Sequence, residues 1–438
     1  MDREGLKHAV ERAIDDNREE IIGIGRAIFS NPELGFKEFK TSKLVAATLE
    51  GLGIPCREGI AITGVRGSLQ GSAPRTLRIA VLGELDAVVC PLHPHADALT
   101  GAAHSCGHNA QIAAMLGVAI GLSKSGVMSD LAGDVVFMAV PAEEYVELEW
   151  RERLRRDGRI VFFGGKQEFI RLGEFDEVDM GMMVHSHAGI EQRRVLLSPD
   201  SSGFMGKTVR FSGREAHAGA APFDGINALN AAALALMAIN AQRETFREQD
   251  RIRVHPIITK GGDMVNIVPA DVRLETYIRG RSMEAVSDAN VKVDRALRAG
   301  AMAVGAEVDI QDIPGYLPLV QDPGLNRIFG ENGKRYVGQE GLLYGYELMG
   351  ATDAGDVSSL IPFMHPSIGG FRGAAHSQHF EICDEEMAYV IPAKIMALSV
   401  VDLLSDGAAA GRAVKEAFRP VLSKSEYLGK MAGSGREA

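Results

Sequence analysis

Cysteine is scarce in this chain. Four of 438 residues (Cys56, Cys90, Cys106, Cys383), at irregular spacing, are too few for a disulfide framework, so the thiols are expected to stay reduced and open to metal. An excess of basic charge is also missing: 47 Lys and Arg stand against 58 Asp and Glu, for a net charge of -11. That balance excludes a basic stripe and, with it, a nucleic-acid partner. No apolar run approaches the roughly 18 to 20 residues that cross a bilayer. The start, Met1-Asp2-Arg3-Glu4, is charged and lacks the apolar core of a secretory signal. The expectation is a soluble, cytoplasmic protein with no membrane partner.

The hydrophobic share is 46% and the charged share 24%, typical of a globular chain, and the length exceeds what one core supports. Helical patterns cover 4–29, 41–52 and 110–125, the last closed by Gly126, and alternate with β-rich apolar runs at 76–82, 134–140 and 178–184. The pattern predicts an α/β domain with a mostly parallel central sheet flanked by helices. The middle of the chain reads differently. Strands at 207–211, 252–258, 272–278 and 307–310, with helices at 226–243 and 283–304, give the order βαββαβ of a ferredoxin-like α+β domain. Its borders fall in turn-rich stretches near Pro199-Asp200-Ser201 and Pro314-Gly315-Tyr316. Residues 1–200 and 315–438 are therefore assigned to one domain and 201–314 to an inserted one, and the polar tail from 423 is expected to be loose.

His104-Ser105-Cys106-Gly107-His108-Asn109 packs a thiol and two imidazoles ahead of the apolar helix at 110–125. Borderline ligands at that density suit a transition metal. A Cys106 thiolate has lone pairs for two cations. His108 would bind through one ring nitrogen and needs a partner on the other, a role Asp86 could fill from a neighbouring strand end; His104 reads as loop support.

Glu143 and Glu144 leave the strand at 134–140 behind Pro141 and Ala142. Successive residues near a strand end point in opposite directions, so one can bind metal while the other acts as base on a metal-bound water. His185 and His187 follow the third apolar run, and spacing alone does not choose between them. His376 and His379 lie in a glycine-rich stretch near the C-terminus. In the inserted domain, His217 sits in a small-residue loop, Asn266 in a turn, and Arg279 at a strand end; all three are expected to gather at one edge, with Arg279 suited to a substrate carboxylate.

These residues, with Pro32-Glu33-Leu34-Gly35-Phe36, Gly83-Glu84-Leu85-Asp86-Ala87, Gly213-Arg214-Glu215-Ala216-His217-Ala218, Thr352-Asp353-Ala354-Gly355-Asp356 and His376-Ser377, resemble the dinuclear-metal amidohydrolases that include aminoacylase, carboxypeptidase G and the indole-acetyl-amino-acid hydrolases. The nearest look is to the p-aminobenzoyl-glutamate hydrolase branch. The resemblance implies two divalent ions, Mn or Zn, with Cys106 as the bridge and His108, Glu144, His185 and His376 as the other ligands. It implies Glu143 as general base, and it places His217, Asn266 and Arg279 in a lid and dimerisation domain that serves the partner's site in a homodimer. Two features depart from the common pattern: Asn109 stands where many relatives have Asp, and residues 145–166 form a longer connection than usual.

The expected activity is hydrolysis of an amide bond in an N-acyl or aminobenzoyl amino acid, or a similar small carboxylate-bearing substrate. Deamination of an aromatic amine at the same site, dipeptide hydrolysis, and a non-catalytic metal-dependent binding protein are the alternatives.

Overall fold

The computed structural model describes residues 1–71, 76–198, 201–345 and 350–433, so Pro199 and Asp200 of the first expected border lie outside the described residues. The chain divides into two compact units. The first comprises Met1–Asp200, Val320–Glu347 and Asp356–Ser423; the second comprises Ser201–Leu319, Leu348–Gly355 and Lys424–Ala438.

In the first unit, a six-stranded sheet is built around strand Leu77–Glu84, which runs parallel to Gly133–Val140 on one side and to Met180–Met182 on the other. Phe363–Met364 extends the parallel part. The opposite edge is antiparallel, through Gly64–Leu69 and Cys56–Ile60. Gly133–Val140 is buried at every position, as a strand covered on both faces must be. The helix His108–Ser125 is apolar all round and buried through Leu122, with the first-helix pair Arg3–Asp16 and Arg18–Phe29 packed around it. That pair is one expected helix broken at Asn17, whose φ of -113° leaves the helical region. The apolar helix Glu386–Ala417 is long enough to span a membrane, but 94% of its most apolar window is buried within the fold, so it is a core element.

Parallel strands deliver their C-terminal ends to one edge of the sheet, which is where an α/β fold gathers its ligand groups. Glu84 ends its strand, Glu143 and Glu144 follow Val140, and His185 follows Met182.

The second unit has the sheet order expected of βαββαβ. Gly203–Ser212 is central, between Asp271–Gly280 and Glu307–Pro314, with Arg253–Val254 and Ile257–Lys260 on the outer side of Asp271–Gly280. Helices Ala228–Ala241 and Met283–Val304 cover one face. One expectation fails at the tail: Lys424–Gly433 is a helix, and Tyr427 and Met431 are buried, because these two apolar side chains recur four residues apart on one face.

Candidate metal centre

The Cys-Gly-His turn is shaped by its glycine. Gly107 caps the helix His108–Ser125 at φ 84°, and a Cβ there would come within 2.7 Å of Ser186. The turn places Cys106 and His108 at a helix N-terminus, where the helix dipole favours a thiolate. His108 Nδ1 donates to the Asp86 carbonyl at 2.9 Å and lies 3.2 Å from its Oδ1, which leaves Nε2 to face the centre. Asp86 Oδ2 accepts the backbone N–H of Glu144 at 2.8 Å, so one buried carboxylate braces both a histidine and a glutamate. His185 Nδ1 is held by the Ser186 carbonyl at 2.7 Å, and its Nε2 stands 3.6 Å from Cys106 Sγ.

Three groups of ligand atoms, each within 4.8 Å of one another, share this edge: Cys106, His108 and His185; Cys106, Glu144 and His376; and Glu84, His108 and Glu143. Cys106 belongs to two of them, as a bridging thiolate would. Glu143 and Glu144, adjacent in sequence, turn into different groups. Backbone in the left-handed region sets up two of these contributions: Ala142, just before Glu143, has φ 54° and donates its N–H to buried Glu38, while His376 has φ 58° and donates its N–H to the Ser105 carbonyl. His187 bonds the Ala188 carbonyl and enters none of these groups. His379 instead lines a separate cleft with Phe29, His93, His95 and Arg372.

The electrostatics favour cations. Burial and the Glu144 charge push the Cys106 thiol up, yet His108 and His185 outweigh them and bring it down to about 6. The Glu144 carboxylate holds the His376 imidazolium up to about 11. His108 is likewise raised, with burial opposing and Glu84 and Cys106 prevailing. Two buried atoms, His108 Nε2 and Glu144 Oε1, make no hydrogen bond. Orphaned donor atoms aimed into one space fit a pair of divalent ions.

Residues 200–303 match the peptidase dimerisation domain. Over 455 aligned residues the chain is 28% identical to the Xaa-Arg dipeptidase of Mus musculus, covering 98% of this chain and 95% of the relative. It is also 28% identical to an IAA-amino acid hydrolase of Arabidopsis thaliana, covering 84% of this chain and 82% of that one. A dinuclear metal binding peptidase from the M20 family of Bacillus subtilis superposes with a TM-score of 0.65 at 21% identity, covering 89% and 99% of the two chains. The chain thus shares its fold with an M20 dinuclear metal binding peptidase and is similar along most of its length to a dipeptidase and an amino acid hydrolase. It is an enzyme acting on C–N bonds, and the clustered thiolate, imidazoles and carboxylates can hold metal.

Within the second unit, the expected lid residues do not all meet. His217 bridges Ile267, and Ala218 donates its N–H to the Asn266 carbonyl at 2.9 Å, so these two loops join. His217 Nδ1 accepts from Gly219 and Ala220, which leaves Nε2–H presented to solvent. Arg279 is elsewhere. It pairs with Phe204 at the far end of the strand Asp271–Gly280, about 27 Å from Asp271 along an extended chain, and lies over the Phe204 and Tyr277 rings. The expectation that all three gather at one edge is corrected, because both strands flanking the site are ten residues long.

Sequence reasoning left Glu38, His365, Gln111 and Lys166 unassigned and placed Glu84 among the polar groups at strand ends without a role. Glu38 is fully buried, and burial first, with the Asp86 charge second, pushes it up to about 8. His365 is buried with its Nε2 unpartnered, its ring 5.5 Å from that of His185 and perpendicular to it; burial lowers it to about 3. Glu84, Gln111 and Lys166 form a buried polar group behind His108. A histidine in the apolar run Phe363–Ile368 was the one available signal for His365.

Proposed function

We propose that this protein hydrolyses the amide bond of an N-acyl amino acid or dipeptide bearing a free carboxylate, with Glu143 as general base. The observation that carries the reading is the division of the Glu143–Glu144 pair: Glu144 joins Cys106 and His376, whereas Glu143 turns away from them toward Glu84 and His108, its Oε2 3.8 Å from His108 Nε2. A base must be near the attacked water without being locked to a ligand position.

Cys106, His108, Glu144, His185 and His376 would hold two divalent ions, Mn or Zn given the thiolate and imidazoles, and bound ions supply Lewis acidity and a more acidic water. Glu143 takes the proton from the attacking water and returns it to the leaving amine. Asp86 keeps His108 Nε2 and the Glu144 backbone in place through both transfers. His217, through Nε2–H, is suited to steady the developing oxyanion, and Asn266 to orient the substrate beside it. The dimerisation-domain match supports a homodimer, and the second unit carries exposed apolar side chains on one helix (Met237) and on its edge strand (Ile257) that a partner would cover.

The named activity of the mouse relative, aligned over nearly the whole chain, keeps dipeptides within the substrate class beside N-acyl amino acids. Changing Glu143→Ala tests the assignment. Turnover is expected to fall by about 100-fold or more with metal content unchanged, measured by plasma mass spectrometry on the purified variant; retained turnover contradicts it.

A further inference from the structure

Two pairs of atoms in the centre share one unusual geometry. Glu144 Oε1 lies 3.0 Å from His376 Nε2, yet that oxygen is buried and makes no hydrogen bond. Glu84 Oε2 lies 3.1 Å from His108 Nε2, yet that nitrogen is buried and makes no hydrogen bond. Atoms held at such contact without a hydrogen bond at the buried member are open to a third point, a shared cation. Ligands bonded at about 2.1 Å and at right angles around one octahedral cation stand about 3 Å apart. The first pair is already in the proposed ligand set, and the second has the same signature.

Glu84 is prepared for such a role. Its carboxylate is fully buried, with one oxygen paired to the fully buried Lys166 ammonium and the other accepting from Gln111 Nε2 at 2.7 Å. Gln111 also accepts the Glu84 backbone N–H at 3.1 Å. A buried carboxylate without a cation costs several kcal/mol, so Lys166 keeps Glu84 ionised before any metal arrives. Glu84 is also nearer to His108 Nε2 than Glu143 is, at 3.1 against 3.8 Å, and it is tethered at both oxygens.

We propose that Glu84 is a sixth protein ligand, on the ion shared by His108 and His185, held in place by Lys166 and Gln111. The inference rests on the dinuclear reading and makes the two ion positions unequal. One is walled by Glu84, Cys106 and His108, all buried, with His185 beside them. The other uses Cys106, Glu144 and His376, and the His376 side chain is 52% exposed. The inner ion therefore binds tighter and exchanges more slowly than the outer one.

Titration of metal-free protein with Mn, with free Mn counted by electron paramagnetic resonance, is expected to show two sites of different affinity. Glu84→Gln should weaken the tight site by at least about 10-fold and spare the weak one, while His376→Ala should do the reverse. Two wild-type affinities in Glu84→Gln overturn the proposal. Failure of the wild-type protein to bind two ions would instead overturn the dinuclear reading beneath it. Should Glu84→Gln not fold, a crystal of the wild-type protein soaked in Mn decides: an anomalous peak within about 2.4 Å of Glu84 Oε2 supports ligation, and one beyond about 3 Å refutes it.

Discussion

At the scale of single residues, the centre is a set of proton-bearing groups waiting to be displaced. His376 is held as an imidazolium up to about 11 by Glu144, and Cys106 sits at about 6. A raised imidazole must lose its proton to bind metal, so loading at pH 8 is expected to release at least about one proton, from His376. Affinity should rise with pH, and most steeply below pH 6, where Cys106 must be deprotonated as well. Calorimetry in two buffers of different ionisation enthalpy reads this directly, and loading without proton release at pH 8 would contradict the geometry of the Glu144–His376 pair. Much of this residue set was legible in the sequence. Cys106 and His108 are separated only by Gly107, and Glu143 and Glu144 are neighbours after a buried strand, so local spacing reveals both. Glu84 and Lys166 were not legible as a pair: they lie 82 residues apart and meet only because their segments are folded around adjacent parallel strands.

At the scale of elements, the long connection after Glu144 proves to be a clamp. The helix Leu148–Arg156 buries Arg151 completely, and its guanidinium donates to the Glu144 carbonyl at 2.5 Å and the Phe163 carbonyl at 2.7 Å, with the Phe36 ring 5.3 Å away. Gly35 is required beside it, since a Cβ there would meet the guanidinium at 2.5 Å. Lys37 adds an outer tie, bonding Glu147 at 2.7 Å and lying 4.1 Å from the Trp150 ring centre. Arg151→Met strips two buried carbonyls of their donor. It is expected to cost about 2–4 kcal/mol in urea denaturation and to weaken the metal position that uses Glu144. Arg151→Lys should recover little, because one ammonium does not reproduce the fork. Stability within about 0.5 kcal/mol of wild type would mean that the helix is an ornament on the surface of the site. Sequence periodicity showed that an extra segment was present. It could not show that a charged side chain of that segment is buried, because burial here depends on carbonyls contributed by the loop itself. The same limit explains Arg279. Asn266 precedes the strand Asp271–Gly280 and Arg279 lies at its other end, so the length of the strand separates them, a distance that residue type alone does not reveal.

At the scale of the whole molecule, the two units carry different candidate residues. The first carries every proposed metal ligand, and the second carries His217, Asn266 and Arg279 on a ferredoxin-like sheet. If His217 serves the partner's site, a preparation of Glu143→Gln and one of His217→Ala, each inactive, should complement when mixed and allowed to exchange subunits. Half the dimers would be mixed and each would hold one complete site of two, so activity should recover to about a quarter of wild type. No recovery, with exchange verified by native mass spectrometry, would mean that His217 acts within its own chain. The alternation of helices and strands and the βαββαβ order of the middle section made both units legible in outline. The helix Lys424–Gly433 was missed because the tail's polar composition concealed the spacing of Tyr427 and Met431.

The central claim, hydrolysis of a C–N amide bond at a metal centre with Glu143 as base, is tested most directly by product analysis in 18O-labelled water. Metal-loaded protein is incubated with N-acyl amino acids and dipeptides, and the products are followed by mass spectrometry. The account predicts one labelled oxygen in the released carboxylate, an unlabelled amino acid as the second product, and loss of both in Glu143→Ala. Release of ammonia with no second organic product would contradict it.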